Sequence, residues 1–374
     1  MTSASMPCLP AACGVDRTLS PIFFDTLLLH KIAAAQANHA IGIVSAETMQ
    51  RITHAATRLR QRIGGDDEAL PTIWQSGCGL ESNRWANERI ATLSRTADLP
   101  VIEPATVNGN QSTNDTMPSV IHLSLLRACY QQLEPACQVL QRQLRAKAAV
   151  HPEARVMGRT FLRDARPMRW CDVWGSWASL LEEHEAWLDQ SLLHLTHLPQ
   201  GGYSLGNGAG MDPRFPRAYI ECLNQLLPLG CSMHPQPTNA MSGIRALAAF
   251  AGALAGLCAG LEKIAADCLL LCSGPDHGFG DLAFAETHND STTLAGKSNP
   301  TPATTLQMAC TYSRALCLMV IDLAARGQLQ LYTQFPITAY VLLDSVETLA
   351  GRIRSFATEF IIGLAPMPTK EYQA

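Results

Sequence analysis

Residues 289–301, the serine segment, carry the densest group of side chains suited to chemistry. Their sequence is Asn-Asp-Ser-Thr-Thr-Leu-Ala-Gly-Lys-Ser-Asn-Pro-Thr, which places a hydroxyl at Ser291, an ammonium at Lys297 and an amide at Asn299. Asn299 followed by Pro300 predicts a helix N-cap with proline at the first helical position. The positive end of that helix, next to a lysine, favours an anionic ligand.

Two other polar segments have the same design. Residues 110–115 precede Pro118, and residues 158–164 precede Pro167. Each is predicted to place hydroxyl and amide groups at the start of a helix, where backbone N–H groups are unpaired. Three such helix starts brought together would bind a compact substrate that carries carboxylates. The alternative is that each segment only caps its helix, which needs a single side-chain oxygen.

The elements that must position these segments are helices. Apolar residues recur at spacings of three and four throughout the chain, and strand patterns are nearly absent. We therefore predict an all-α fold, a bundle of long helices with loops gathered at its ends. The predicted helices are residues 22–63, 85–96, 118–147, 167–197, 213–227, 241–272, 301–325 and 337–363.

Composition excludes several classes of partner. The formal net charge is -4, the sequence pI is near 6.3, and only 16% of residues are charged. No basic field is available for nucleic acid or anionic lipid, so we expect neither as a partner. Charge this sparse leaves apolar surface uncovered, which predicts burial between subunits of an oligomer.

The cysteines predict neither disulfides nor a metal site. There are 13, without a CxxC pair, and several fall at helical spacing, such as Cys268 with Cys272 and Cys310 with Cys317. Reduced core cysteines in a cytoplasmic protein are the better interpretation. Residues 246–261 lack charge and carry a ladder of glycines, but the run is shorter than the roughly 20 residues of a membrane span. We expect no metal, no cofactor, no membrane span and no signal peptide.

Several motifs, in order, resemble the signatures of the fumarase/aspartase superfamily. The resemblance runs from about residue 20 to about residue 365. The motifs are Trp74-Gln75-Ser76-Gly77 with Ser82-Asn83 and Asn87-Glu88, Gln111-Ser112-Thr113-Asn114-Asp115, Gly158-Arg159-Thr160, Ser273-Gly274-Pro275 with Gly278 and Gly280, and Gly296-Lys297-Ser298-Asn299-Pro300.

The resemblance implies a homotetramer of long helices in which each active site is built by loops from three subunits. Members of this family remove a proton beside a carboxylate and expel a group from the adjacent carbon, usually yielding fumarate. The matching residue for the base is Ser291. The matching substrate ligands are Ser112, Thr113, Asn114, Thr160, Lys297 and Asn299.

Departures from the family pattern predict a different substrate. Phe161 stands where members acting on malate or argininosuccinate-like substrates have a histidine, and Thr304 stands where a glutamate pairs with that histidine. Cys78 and Leu80 replace small hydroxyl residues. We therefore expect Phe161, Cys78 and Leu80 to make the pocket more apolar. A glycine-rich turn is also altered, at Tyr203, Asn207 and Gly210.

The predicted domains are a flexible tail at 1–17, a shortened N-terminal helical domain at 18–116, a central long-helix domain at 117–365 and a tail at 366–374. The resemblance also leads us to expect no small C-terminal domain after residue 363.

Three functional hypotheses remain open at this stage. The first is a lyase that eliminates a group from a succinyl or aspartyl-like acid, in specialised metabolism. The second is the same scaffold used for addition, isomerisation or cyclisation of an apolar metabolite. The third is a non-catalytic subunit, against which the retention of both Ser291 and Lys297 argues.

Overall fold

The computed structural model describes residues 16–65, 68–97, 99–150, 152–274, 276–285 and 291–367. The chain divides into two compact units. The first unit comprises Met1–Arg127, Leu193–Ala248 and Val320–Leu343, and the second comprises Ala128–Leu192, Ala249–Met319 and Asp344–Ala374. The domain boundaries at residues 18, 117 and 365 stay predictions.

The predominantly helical fold is confirmed. The α-helices are α1 Pro21–Ala40, α2 Ala46–Arg60, α3 Leu80–Leu93, α4 Pro104–Val107, α5 Thr113–Ala128, α6 Glu134–Val150, α7 Trp170–Leu195, α8 Phe215–Leu226, α9 Pro237–Ser242, α10 Arg245–Leu271, α11 Thr301–Leu323 and α12 Phe335–Ser355. Single π-helical turns at Cys129–Leu133 and Phe356–Phe360 follow α5 and α12. Short 3₁₀ turns lie at Ala324–Arg326 and Ile361–Gly363.

Short strands form three two-stranded pairs among the described residues. An antiparallel hairpin joins β1 Arg155–Thr160 to β2 Arg163–Arg169. Strands β3 His197–Leu198 and β4 Ser232–Met233 pair in parallel, and β5 Leu282–Ala283 pairs antiparallel with β6 Ala365–Pro366. Sequence patterns did not predict the hairpin.

In the first unit the core is built around α1. Ser20 caps this helix with its side chain and Pro21 occupies the first helical position, so the helix start follows directly from local sequence. Most of its residues are buried, including Phe23, Phe24 and Leu27. A helix that is apolar on nearly all sides packs on several neighbours, here α2 and α8.

In the second unit the core is rich in aromatic residues. Trp170 and Trp174 of α7 stack with ring centroids 5.6 Å apart, and Trp177 meets Trp174 edge-on at 5.0 Å. All three are almost fully buried. The Trp177 indole N–H donates to Asp267 of α10, so the buried polar end of this side chain is satisfied.

The predicted helix over residues 22–63 is wrong at its middle. The chain forms two helices, because Gly42 adopts a left-handed φ of 80° and Ser45 starts α2 by accepting the N–H of Thr48. The apolar periodicity continues on both sides of this turn, so periodicity alone did not reveal the break.

One described helix is long and apolar enough to cross a membrane, by length and composition alone. It spans Thr301–Arg326, with a mean hydropathy of 1.4 and 28% of its most apolar window buried. This helix differs from the uncharged run at residues 246–261 that the sequence showed. The cysteines in the described residues are free. Of the four singled out for helical spacing, Cys268, Cys310 and Cys317 are buried as expected, whereas Cys272 is only half-buried.

Candidate active site

Ser291 begins the described part of the serine segment. Its Oγ accepts hydrogen bonds from the backbone N–H of Leu294 at 2.8 Å and of Thr293 at 3.3 Å. The side chain is half-buried. Hydrogen bonds donated to an oxygen stabilise its negatively charged form more than its neutral form. This local turn therefore favours the alkoxide of Ser291.

Lys297 and Asn299 lie just before α11. The ammonium of Lys297 is exposed and makes no hydrogen bond or ion pair with the parts of the chain that the structure describes. Asn299 is half-buried, and its carbonyl accepts the N–H of Thr301. The carbonyl of Pro300 accepts the N–H of Thr304, so Pro300 is the N-cap and the N-cap prediction for Asn299 is wrong, although α11 starts at Thr301 as the predicted range has it. Lys297 still lies beside the positive end of this helix.

The predicted helix start at Pro167 is wrong. Thr160 is the last residue of β1, and Pro167 lies within β2 opposite Met157. Proline is tolerated there because both strands of a two-stranded hairpin are edge strands. The N–H that Pro167 lacks therefore leaves no buried carbonyl without a donor. Helix α7 begins only at Trp170, so Thr160 and Phe161 do not lie at a helix start.

Phe161 and Leu162 form the tip of this hairpin. Thr160 pairs with Arg163, which leaves a two-residue loop, and both loop residues have positive φ, 53° and 59°. Positive φ at both positions is what a type I′ turn requires, and bulky residues adopt it only with strain. Phe161 is 99% exposed in the single chain. The tip therefore presents an apolar side chain to solvent at a conformational cost.

Arg159 ties the hairpin to the segment that leads toward Ser291. Its Nη1 lies 2.5 Å from Asp281 Oδ2, and its Nε lies 3.1 Å from Asp164 Oδ1. The guanidinium also stacks on the ring of Phe279, 4.3 Å from the centroid. These contacts raise the pKa of Arg159, against the lowering by burial, so the group stays charged.

Helix α5 in the first unit starts five residues before Pro118, so the helix start predicted at that proline is wrong. Ser112 is its N-cap, since the Ser112 carbonyl accepts the N–H of Thr116 at 3.0 Å. The Ser112 Oγ accepts the N–H of Asn114, while Asp115 Oδ1 accepts the N–H of Ser112. The arrangement is a variant of the capping box, in which Asp115 takes the acidic position and the serine oxygen bonds the N–H one residue earlier, at Asn114.

Thr113 and Asn114 keep hydrogen-bonding capacity for a ligand. Thr113 Oγ1 accepts from Asn83 at 2.9 Å, which leaves its hydroxyl hydrogen to donate. Asn114 Nδ2 donates to the carbonyl of Ser204 at 2.9 Å, which leaves its second N–H. Both residues lie in the first turn of α5, where backbone N–H groups and the helix dipole favour an anion.

Cys78 lies on the turn that enters α3, and Leu80 is the first residue of that helix, close to α5. Gly79 caps α3 in a left-handed conformation, and a Cβ there would lie 2.5 Å from Met117 of α5. Gly77 is required because a Cβ would lie 1.7 Å from the carbonyl oxygen of Thr333. Cys78 Sγ lies 3.3 Å from Ser76 Oγ, and Leu80 is 36% exposed. Asn83, one turn further, makes the bond to Thr113.

Two fully buried ionisable side chains support this corner of the first unit. Lys31 and Asp115 are both completely buried. Burial lowers the pKa of Lys31 to about 7 and raises the pKa of Asp115 to about 7, while their mutual attraction opposes both shifts. Asp115 Oδ2 also accepts from Gln200 Nε2 and from the N–H groups of Gly201 and Tyr203. The altered glycine-rich turn is thus anchored to the start of α5.

Sequence reasoning gave no role to Arg159, Asp115 or Asn83, although the motifs contained them. For Asp115, the spacing Ser-x-x-Asp was an available signal. The pairing of Arg159 with Asp281 joins residues far apart in sequence and left no local signal. Asn289 and Asp290 of the serine segment, Pro275, most of the predicted N-terminal tail and residues 368–374 lie outside the described residues.

Comparison with known proteins agrees with these motifs. The sequence model of a family described as Lyase matches residues 16–312. A class II fumarate hydratase from Chlamydia caviae is 34% identical over 346 residues, covering 90% of this chain and 75% of that protein. One from Neisseria meningitidis is 32% identical over 365 residues, covering 96% and 78%.

Solved structures show the same relationship. Class II fumarase from Schistosoma mansoni superposes with a TM-score of 0.90 at 26% sequence identity, covering 95% of this chain and 78% of that chain. A fumarate lyase:delta crystallin from Brucella melitensis, in native form, superposes with a TM-score of 0.85, covering 94% and 81%. The match of helices, motifs and sequence leaves one conclusion: this chain is a lyase that belongs to the fumarase/aspartase superfamily.

Proposed function

We propose that the protein catalyses a β-elimination begun by Ser291 on a succinyl or aspartyl-like acid, in specialised metabolism. The alkoxide of Ser291 takes the proton from the carbon beside a carboxylate. The electron pair of that C–H bond forms the double bond, and the C–N or C–O bond on the adjacent carbon breaks, its electron pair departing with the leaving group. The product is fumarate or a related unsaturated acid.

The observation that carries this proposal is the pair of backbone N–H groups at Ser291 Oγ. A serine hydroxyl is a poor base unless its alkoxide is stabilised. The N–H groups of Leu294 and Thr293, at 2.8 and 3.3 Å, supply part of that stabilisation without reorganisation.

The charge that develops on the substrate also needs a counter-charge. Loss of the proton converts a carboxylate into an aci-carboxylate with additional negative charge. Lys297, six residues after the base and unpaired within the described chain, supplies a positive charge, and Asn299 and the start of α11 add donors. Thr113 and Asn114 supply donors for the second carboxylate. Ser112 caps α5, and because its Oγ only accepts a hydrogen bond in that cap, its hydroxyl hydrogen stays available to the same carboxylate.

Among the described residues, the two positions that match the family's acid relay on the leaving-group side carry no acid. Phe161 takes the place of a histidine, and the hydroxyl of Thr304 donates to the carbonyl of Thr301 within α11. A good leaving group departs without protonation, so the absence of an acid selects such a substrate. Phe161, Leu80 and Cys78 then provide apolar contact to that group.

The assembly proposed with this activity is a homotetramer whose active sites draw on three subunits. Support comes from apolar side chains on α11 that are exposed in the single chain, namely Met308, Leu318 and Ile321. Burial of this face between copies also accounts for a helix apolar enough to resemble a membrane span. The location expected with this assembly is the cytoplasm.

A substrate panel tests the reaction. The purified protein is incubated with malate, aspartate, N-substituted aspartates, nitrosuccinate-like acids and tricarboxylic acids, and products are followed by absorbance and mass. We expect at least one unsaturated acid that lacks the mass of a leaving group. A product of unchanged mass would favour isomerisation or cyclisation instead, which the exposed apolar Phe161 and Leu162 also suit. No product, with no thermal stabilisation by any dicarboxylate, would favour a non-catalytic subunit.

A further inference from the structure

The hairpin of β1 and β2 is strongly basic. Residues 155–169 contain five arginines and one aspartate, a formal charge of +4 in a chain whose formal net charge is -4. Every residue of β2 is exposed. Positive charge concentrated on one exposed hairpin of an acidic protein points to an anionic ligand.

A bulge brings two of these arginines to one face. Thr160 pairs with Arg163 and Arg159 with Asp164, but Gly158 pairs with Arg166, so Ala165 is an extra residue on β2. Without the bulge, Arg166 would lie on the opposite face from Arg163. With it, Arg163 and Arg166 lie directly opposite Thr160 and Gly158, which share a face of β1 because side chains alternate along a strand.

Neither guanidinium on this face is neutralised within the described residues. The carboxylate nearest in sequence, Asp164, is bonded to Arg159, and Arg169 is paired with Asp172. Arg163 and Arg166 make no ion pair or side-chain hydrogen bond with the described part of the chain. Two unpaired guanidinium groups beside a threonine hydroxyl form an arrangement suited to an oxyanion, because each arginine can donate two parallel hydrogen bonds.

We infer that Thr160, Arg163 and Arg166 bind an anionic group of the substrate beyond the two carboxylates of its succinyl part. This inference rests on the proposed function and on Thr160 as a substrate ligand, a role that the family resemblance implies. The group is a carboxylate or a phosphate, since both present oxygens that match the guanidinium fork. The substrate class is thus a succinyl compound with a third anionic group, and the apolar tip at Phe161 and Leu162 lies next to that group.

Binding measured by isothermal titration calorimetry tests this inference with four ligands. They are succinate, propane-1,2,3-tricarboxylate, 2-(phosphonomethyl)succinate and 2-isobutylsuccinate, which has the shape of the tricarboxylate without its third charge. The wild-type protein should bind the tricarboxylate or the phosphonate at least about ten-fold more tightly than succinate or the isobutyl compound. The tighter of the two charged ligands identifies the third group.

The variants are Arg163→Gln, Arg166→Gln and Arg163→Lys, with Arg155→Gln as the matched control. Arg155 is an exposed arginine of the same hairpin on the face away from Thr160. Each glutamine variant on the Thr160 face should weaken the charged ligand by about ten-fold and leave succinate unchanged. Arg163→Lys should be intermediate, and Arg155→Gln should bind as wild type.

Other outcomes separate the two proposals. Succinate binding without preference for a third charge would overturn this inference and leave the proposed function standing. Equal losses in Arg155→Gln and Arg163→Gln would also overturn it, because the effect would then be a general electrostatic field. A change of oligomeric mass in Arg163→Gln or Arg166→Gln, measured by light scattering, with ligand affinities unchanged, would assign these arginines to a neighbouring copy instead. If no ligand binds at all, both proposals fall.

Discussion

Arg159 and Asp281 join two parts of the second unit that carry candidate catalytic residues. Their Nη1 and Oδ2 atoms lie 2.5 Å apart, and both side chains are largely buried, with 16% and 13% of their surface exposed. Arg159 directly precedes Thr160, and Asp281 directly precedes β5, the strand that leads toward the serine segment. Because Arg159 also holds Asp164, a single guanidinium fixes the hairpin on both of its strands and on this segment.

The first prediction concerns this arginine. Arg159→Lys keeps the charge but loses the planar fork that reaches both carboxylates and stacks on Phe279. We expect the free energy of unfolding to fall by about 2 kcal/mol, as for a partly buried pair that loses one partner. Urea denaturation measures it. The matched control is Arg169→Lys, whose pair with Asp172 is solvent-exposed, so its urea midpoint should stay close to that of the wild type. Equal effects at both sites would contradict the role of Arg159.

The second prediction concerns the strained tip. Replacing Phe161 with Asn and Leu162 with Gly introduces the residues that type I′ turns prefer. Relief of the left-handed strain should raise the free energy of unfolding by about 1–2 kcal/mol, while activity on the substrate found by the panel falls. Urea denaturation measures the free energy of unfolding, and the turnover rate of the same preparation measures the activity.

Leu329 offers a control for strain alone, since it has a φ of 51° and is 89% exposed. Leu329→Asn should also increase stability, but without loss of turnover. If the tip variant kept full activity, Phe161 would have no part in the site.

The third prediction concerns Asp115. Its carboxylate accepts four hydrogen bonds, three of them from backbone N–H groups. Asp115→Asn replaces one acceptor oxygen by an N–H₂ group and leaves at least one buried N–H unpaired, so we expect a loss of about 3 kcal/mol in urea denaturation. Asp322→Asn, in an exposed pair with Arg326, should cost less than about 0.5 kcal/mol. A loss at Asp115 no larger than this would show that the capping box is not a stabilising element.

The fourth prediction concerns stability at acidic pH. Burial lowers the pKa of His122 from 6.5 to about 4, with hydrogen bonds to the backbone opposing the shift. As pH falls, the unfolded chain therefore takes up a proton at His122 before the folded protein does. The contribution of neutral His122 to the free energy of unfolding is complete above pH 6.5 and is lost as pH falls toward 4. Relative to His122→Gln, the wild type should lose about 3 kcal/mol across this window. Denaturation at several pH values gives the difference, and His54→Gln, at an exposed position, is the control. If the free energy of unfolding changed with pH in parallel in the wild type and in His122→Gln, the prediction for His122 would be wrong.

Helices were the predictable part of this fold because each has an apolar face that local sequence records. Their ends were less predictable, because Ser45 and Ser112 cap helix starts that the apolar periodicity does not mark. The hairpin was not predictable in the same way. All seven residues of β2 are exposed, so no alternation of apolar and polar residues marks the strand, and Pro167 imitates a helix start.

Sequence motifs named a set of candidate site residues, whose roles stay predictions, but they did not give the arrangement of those residues. Ser291, Lys297 and Thr113 were found from motifs in sequence order. The face that Arg166 occupies depends on a single extra residue in β2, and the contact of Arg159 with Asp281 depends on tertiary packing. Neither leaves a periodic signal in the sequence. Ser112 was expected to bind substrate, and its cap of α5 is a role that only the hydrogen bonds reveal.

The most direct test of the central claim is the turnover of Ser291→Ala on the substrate that the panel identifies, beside its binding of succinate. Removal of a general base costs about 10²–10⁴ in rate, so turnover should fall by that factor while succinate affinity stays within about two-fold. Thr305→Val is the control, since its hydroxyl donates within α11 to the carbonyl of Pro302. Turnover of Ser291→Ala equal to that of the wild type, with succinate still bound, would contradict a serine-initiated elimination.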